Sequence, residues 1–311
     1  RSVTATMAGV MMVTAAGCAS GNQDKGTTEE SIVRMAVSSE PDNLNPMKSS
    51  ATDTSAMMMN VYEGLLSFDK NGSFIPALAE SYEITDDGMT YEFQLKEGIQ
   101  FHSGDEFNAE DVKYTYETLA GLNGESPLNE TLASELVAVE TPDDYSVQLK
   151  LNKVDAGFLS KCTISIQQDG YTQDSTNPNG TGPYKFKEYV QGQKLVLEKN
   201  ENYKTIETRM PEIDTVEFKI MTDSNAVLMA LKSGDLDIAS VDARNFSSLG
   251  KDFTSVEGPQ NMVQIFALNN SVEPLNKKEV RQAINYAVNK EEIIQTVMEG
   301  HGTQLESFLS P

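Results

Sequence analysis

The stretch SYEITDDGMTYEFQL (Ser81 to Leu95) sets Tyr82 and Ile84, then Tyr91, Phe93 and Leu95, at every second position around Asp86, Asp87 and Gly88. Side chains alternate across a strand with period two, so two such runs joined by acidic residues and a glycine predict a β-hairpin. A tight turn alone explains Asp86 and Asp87, which are turn residues before they are metal ligands. IVRMAV (Ile32 to Val37) predicts a further strand, and SSEPDNLNP (Ser38 to Pro46) a Pro- and Asn-rich loop after it.

Helix starts recur with one device, an asparagine followed three residues later by an acid. NAED (Asn108 to Asp111) opens a helix with Val112, Tyr116 and Leu119 on one face. NKKE (Asn276 to Glu279) opens one presenting Val280, Ile284, Ala287 and Val288, and NKEE (Asn289 to Glu292) opens a third, closed by Gly300. In each, the amide oxygen can accept from an orphan backbone donor while the acid sits at the positive helix end. SNAVLMALKSGDLDIAS (Ser224 to Ser240) reads as helix, Gly234 stop, then a strand through Leu236 and Ile238. Strands and helices interleave, so the fold class is α/β.

The chain has 311 residues, 39% hydrophobic and 23% charged, enough for two or more domains. Its 24 Lys and Arg face 47 Asp and Glu, a net charge of −23, which repels a phosphate backbone and excludes nucleic acid as a partner. The two histidines, His102 and His301, have no Cys or His at ligand spacing, and no phosphate-loop, HExxH or nucleophile-elbow motif occurs. A Cys162/His102 nucleophile pair has no local support, and a buried structural cysteine is the commoner case, so no enzyme, metal or cofactor is expected. DKNG (Asp69 to Gly72) lacks the further ligands of a calcium loop and reads as a β-turn, and MMMN (Met57 to Asn60) reads as core filler.

Ser2 to Gly17 carries no charge and is too weakly apolar and too short to span a bilayer; residues 1–17 fit the remnant of a secretory signal peptide. AAGC (Ala15 to Cys18) resembles the bacterial lipobox, although Ala15 stands where Leu is usual. That resemblance implies acylation of Cys18, which would be the whole anchor, since an anionic membrane surface repels the chain. Residues 19 to 31 hold no bulky apolar side chain, so 18–31 is a flexible tether with a reach of about 20 Å.

PALAESYEITDDGMTYEFQLKEGIQFHSGDEFNAEDVKYTYETL (Pro76 to Leu119) resembles family 5 extracellular solute-binding proteins, the peptide, nickel and related receptors of ABC importers. EPDNLNP (Glu40 to Pro46), NGTGPYKFKEYVQGQKLVLEKNENY (Asn179 to Tyr203), SGDLDIA (Ser233 to Ala239) and PLNKKEVRQAINYAVNKEEII (Pro274 to Ile294) agree in order. The resemblance implies a periplasmic-binding-protein-like clamshell of type II with an extra domain. Lobe I would use residues 31–62 and 182–266, the extra domain 63–181, and lobe II would start at 267. Family members continue past the position of Pro311, so the second lobe is expected to be incomplete. The implied function is capture of oligopeptides or dipeptides for a membrane permease, by a monomer at the cell surface or in the periplasm. A nickel-chelate or haem receptor, or a ligand sensor, is the alternative.

The same resemblance places ligand near KSSATDT (Lys48 to Thr54), with Ser50 and Thr52 as candidate contacts; capping of the following helix, Asp53 through Tyr62, is the competing role. Asn269 and Asn270, at the expected lobe crossing, would touch ligand or serve the hinge, the hinge being favoured. Phe101 is expected in the extra-domain core rather than the cleft.

Overall fold

The computed structural model describes residues 30–85, 87–246, 248–256, 263–305 and 307. The signal remnant, Cys18, the tether up to residue 29 and Asp86 of the hairpin turn lie outside the described residues. In chain order the elements are β1 (Ile32–Val37), α1 (Thr52–Met58), β2 (Leu66–Phe68), β3 (Phe74–Pro76), β4 (Ala79–Ile84), β5 (Thr90–Leu95), α2 (Ala109–Ala120) and α3 (Glu130–Ala133). There follow β6 (Leu136–Asp143), β7 (Ser146–Leu151), β8 (Tyr184–Val190), β9 (Lys194–Lys199), β10 (Thr215–Ile220), α4 (Ser224–Ser233), α5 (Ala243–Phe246), α6 (Lys278–Ala287) and α7 (Lys290–Val297).

The predicted hairpin is β4 and β5, paired antiparallel with Tyr82 opposite Phe93. Asp87 accepts from Thr85 Oγ1 and Met89 N, and Gly88 takes φ +69°, the left-handed backbone that a side chain resists. These strands continue into an antiparallel sheet of order β4-β5-β7-β6. Its inward row, Tyr91, Phe93, Val147 and Leu149, packs on Val112, Tyr116 and Leu119 of α2. Every buried member of this core lies between residues 65 and 166, and Phe101 is among them.

A second sheet has the order β1-β10-β9-β8. Here β1 runs parallel to β10, Ile32 opposite Thr215 and Val37 opposite Ile220, while β9 and β8 are antiparallel. Val37, Ile220, Lys194 and Val190 therefore share one end of the sheet. Its core joins Leu195, Leu197 and Phe218 to Met57, Met58, Val61 and Tyr62. Met57 and Met58 are indeed core filler, whereas Met59 is 63% exposed. Asp69 accepts from the amides of Asn71 and Ser73, closing the expected turn between β2 and β3.

Caps decide where the helices begin. Asn108 and Asp111 form a complete capping box on α2, and Asn289 caps α7 through Glu292 N at 3.1 Å. The third expected cap is corrected: α6 starts after Lys277 with no side-chain cap, because Asn276 is held in the preceding turn, its N–H on the Val272 carbonyl at 2.9 Å. Helix α1 also stops short of the expected Tyr62, since Asn60 Nδ2 takes the carbonyls of Ala56 and Met57 that further turns would use. Helix α4 and its Gly234 stop stand as expected, but Leu236 and Ile238 form no strand. Ile238 makes a single parallel bridge to Met35, and Asp237 takes the Arg34 amide with its carboxylate at 2.8 Å, ending the ladder. No residue of α6 or α7 is buried.

Candidate functional site

At the end of the second sheet shared by Val37 and Ile220, residues 38–51 form a loop written in hydroxyls, amides and two acids. Asp42 gathers the loop: its carboxylate accepts from Ser49 Oγ at 2.7 Å, Ser50 N at 2.7 Å, Thr54 Oγ1 at 2.9 Å and Ala51 N at 3.2 Å. These donors, Ser49 foremost, hold Asp42 far below the usual carboxylate range. Asp53 likewise accepts from the hydroxyls of Ser38 and Ser39 and is lowered by them. Farther along, Asn45 Oδ1 accepts from Met47 N and from Gln167 Nε2 at 2.6 Å, tying the loop to the other core.

Beside this loop lies a cavity of about 480 Å³, lined by Pro41, Asp42, Asn43, Leu44, Ser175, Thr176, Phe186 and Tyr189. Its lining mixes two aromatic rings, Phe186 and Tyr189, with polar side chains, the composition of sites that take small organic solutes. In open α/β sheets such sites gather beyond the carboxyl ends of parallel strands, which is where this one sits relative to β1. Tyr189 Oη donates to Glu40 at 2.6 Å, and burial together with that carboxylate pushes its hydroxyl up to about 12. A smaller cavity, about 170 Å³, is lined by His102, Ser103, Tyr171, Asn177, Pro178, Asn179, Lys185, Phe186 and Glu198.

The segment NGTG (Asn179 to Gly182) is the seam between the two cores. A Cβ on Gly180 would fall on the Val61 carbonyl, and one on Gly182 would lie 2.5 Å from the Asn60 oxygen. Gly182 N and Tyr184 N donate to the carbonyls of Val61 and Asn60. Glu63 is buried against this seam, accepting from Tyr203 Oη at 2.8 Å and Thr181 Oγ1 at 3.0 Å; burial raises its carboxyl against the pull of those donors. His102 sets its Nε2 3.0 Å from the Gly182 carbonyl, and burial lowers its ring to about 4, so it is neutral and Nε2 carries the proton.

Ser50 is exposed and spends its amide and hydroxyl on Asp42. Thr52, also exposed, opens α1 without capping it, since the cap position is Ala51. Asn269 and Asn270 are exposed in a turn where Asn269 Oδ1 accepts from Ser271 N. None of the four lines either cavity, and the structure does not bring the serine and threonine together with the asparagines there. Cys162 is fully buried, with its sulfur on the Phe158 carbonyl and its thiol pushed up by burial; His102 is not its partner. Among the described residues no group of three or more His, Cys, Asp or Glu is placed to hold a metal ion. Sequence reasoning missed Asp42, although it is one of only two acids in a loop rich in Ser and Asn.

The α/β body, with its mixed sheet β1-β10-β9-β8, has the periplasmic-binding-protein-like fold of the type II clamshell class. Residues 73–311 match the model for bacterial extracellular solute-binding proteins, family 5, and the chain belongs to that family. It is 31% identical over 297 residues to di/tripeptide-binding protein 1 of Pseudomonas aeruginosa (strain UCBPP-PA14), covering 84% of this chain and 54% of the relative. To heme-binding protein A of Haemophilus influenzae it is 32% identical over 295 residues, covering 84% and 53%. The crystal structure of NikZ from Campylobacter jejuni in complex with Ni(L-His) superposes with a TM-score of 0.78 at 27% identity, over 89% of this chain and 57% of that one. The chain thus spans about half the length of the curated relatives it matches.

Proposed function

We propose that this chain is the solute-capturing part of an ABC importer, binding dipeptides or oligopeptides in a cleft between two lobes and handing them to a membrane permease. The observation that carries the reading is the 480 Å³ cavity past the carboxyl end of β1, with Phe186 and Tyr189 as its walls. Its size suits a short peptide, and its position suits a face that a second lobe closes over. Lobe I is read as 31–62 and 182–266, the extra domain as 63–181, and the beginning of lobe II as 267–311. Ser50 and Thr52, outside the cavity lining, would meet ligand from the loop and helix start beside it, and Asn269 and Asn270 would serve the lobe crossing. A ligand shifts such a hinge only by its differential affinity for the closed form. Export as a monomer, with Cys18 acylated at the membrane surface, completes the reading.

A haem or nickel-chelate receptor is the second reading, favoured by the haem-binding relative, whose identity of 32% equals that of the peptide-binding one within a point. A ligand sensor would use the same fold. Native mass spectrometry of solutes copurified with the whole protein, followed by calorimetry with dipeptides, Ni(L-His) and haem, separates these. Micromolar binding of dipeptides and none of the others is the expected result; haem or nickel-chelate binding in their place overturns it.

A further inference from the structure

Between Gly170 and Asn177 the chain is exposed or half-buried at every position but one, and the exception is a carboxylate: Asp174 is 1% exposed. Surface loops are ordinarily pinned by an apolar side chain, because burying a carboxylate is costly unless its oxygens are paired. Asp174 is paired on one side only. Its Oδ1 accepts from Tyr62 Oη at 2.6 Å and from Asn179 N at 3.1 Å, while its Oδ2 is buried with no partner. With one oxygen unpaired, the carboxylate recovers only part of the cost of its burial, so this anchor is weak by construction.

The rest of the loop holds itself together. Tyr171 Oη donates to the Asn177 carbonyl at 2.8 Å and accepts from Asn177 Nδ2, while the amides of Thr176 and Asn177 donate to the Gln173 carbonyl. Its flanks are fixed: Gln167 is bonded to Asn45 and Thr115, and Asn179 to Ser103 and Gln168. Gly170, at φ +72°, supplies a pivot at one end. The loop is thus a preformed unit between fixed ends, docked through Asp174.

It also stands where it bears on ligand. Ser175 and Thr176 wall the 480 Å³ cavity, Tyr171, Asn177 and Pro178 wall the 170 Å³ one, and Phe186 lines both. We propose that loop 170–177 is a movable partition that sets how long a solute the larger cavity admits, with Asp174 docked under Tyr62 as its latch. Latched, the loop stops a short peptide at Ser175 and Thr176. Released, it joins the two cavities along Phe186 and admits a longer chain. Asp174 is a positioning residue in this scheme and need not touch the solute. The inference rests on the reading of the larger cavity as the solute site.

Calorimetry with alanine peptides of two to six residues, on the whole protein and on Tyr62→Phe, Asp174→Ala and Asp174→Asn, tests it. Tyr62→Phe keeps the ring packing and removes the hydroxyl with its 2.6 Å bond to Asp174 and the 3.2 Å bond it accepts from Asn179 N, which keeps its own bond to Asp174. The first two variants are expected to shift preference toward the six-residue peptide by about tenfold, the worth of one hydrogen bond. Asp174→Asn keeps an oxygen for Tyr62 and is expected to restore the original ratio. Unchanged length preference in all three variants, or affinity lost equally at every length in step with Tm, overturns the latch while leaving the solute site standing. Failure of the unaltered protein to bind any of these peptides overturns the peptide reading, and the latch with it.

Discussion

Glu63 shows how a single side chain at the seam couples the two cores to acidity. It is 8% exposed and accepts from Tyr203 and Thr181, and burial lifts its carboxyl above the ordinary 4.5. The folded protein therefore holds this proton more tightly than the unfolded chain does. Stability contributed here is fully present below the ordinary value and is lost as pH rises through the raised one. Glu63→Gln, which cannot ionise, escapes that loss. Chemical denaturation of both proteins from pH 4.5 to 7.5 is expected to show wild type ahead of Glu63→Gln at the acid end and the gap closing toward neutrality. A gap that widens with pH contradicts the sign. Asp174 and Asp111 are raised by burial too, so the Glu63 contribution is read from the difference between the two proteins rather than from either curve alone.

At the scale of elements, the caps separate what local sequence dictates from what it does not. Asn108→Ala removes the side-chain half of a working capping box, leaving the backbone N–H of residue 108 on Asp111, and is expected to cost about 1 kcal/mol. Asn276→Ala is expected to cost under about 0.5 kcal/mol, since that side chain caps nothing and sits on the surface. Urea denaturation midpoints measure both, and equal losses would contradict the assignment of Lys277 as the start of α6. The two asparagines look alike in sequence because each has an acid three residues on; only the turn that engages Asn276 through Val272 distinguishes them. The β4–β5 hairpin and the Gly234 stop were legible for the same reason that α2 was: period and punctuation act within a few residues. The hydrogen bonds of Tyr62 to Asp174 and of Glu63 to Tyr203 span more than a hundred residues, and no local pattern marks them. Asp42 lies between these cases, an acid amid hydroxyls whose role depends on how the loop folds back on α1. Ser50 and Thr52 came from the resemblance alone, and the bonds of Ser50 to Asp42 and the place of Thr52 at the start of α1 could be read only from the fold.

For the molecule as a whole, a net charge of −23 acts at a distance. A dilysine probe is expected to associate faster than dialanine at low ionic strength, with the advantage falling several-fold between 0.01 and 0.15 M salt as the Debye length shrinks from about 30 to 8 Å. Stopped-flow fluorescence measures this, and rates insensitive to salt would assign the charge to solubility alone. Among the described residues no helix is long and apolar enough to cross a membrane. The glycine seam has a separate consequence. Because the backbone departs at Val61 and returns at Gly182 within a hydrogen bond's length, 2.9 Å, everything threaded between those points hangs from a closed ring. The chain segments on either side of the seam are thus held to each other directly, by backbone bonds from Gly182 and Tyr184 to Val61 and Asn60, and not only through the residues that lie between.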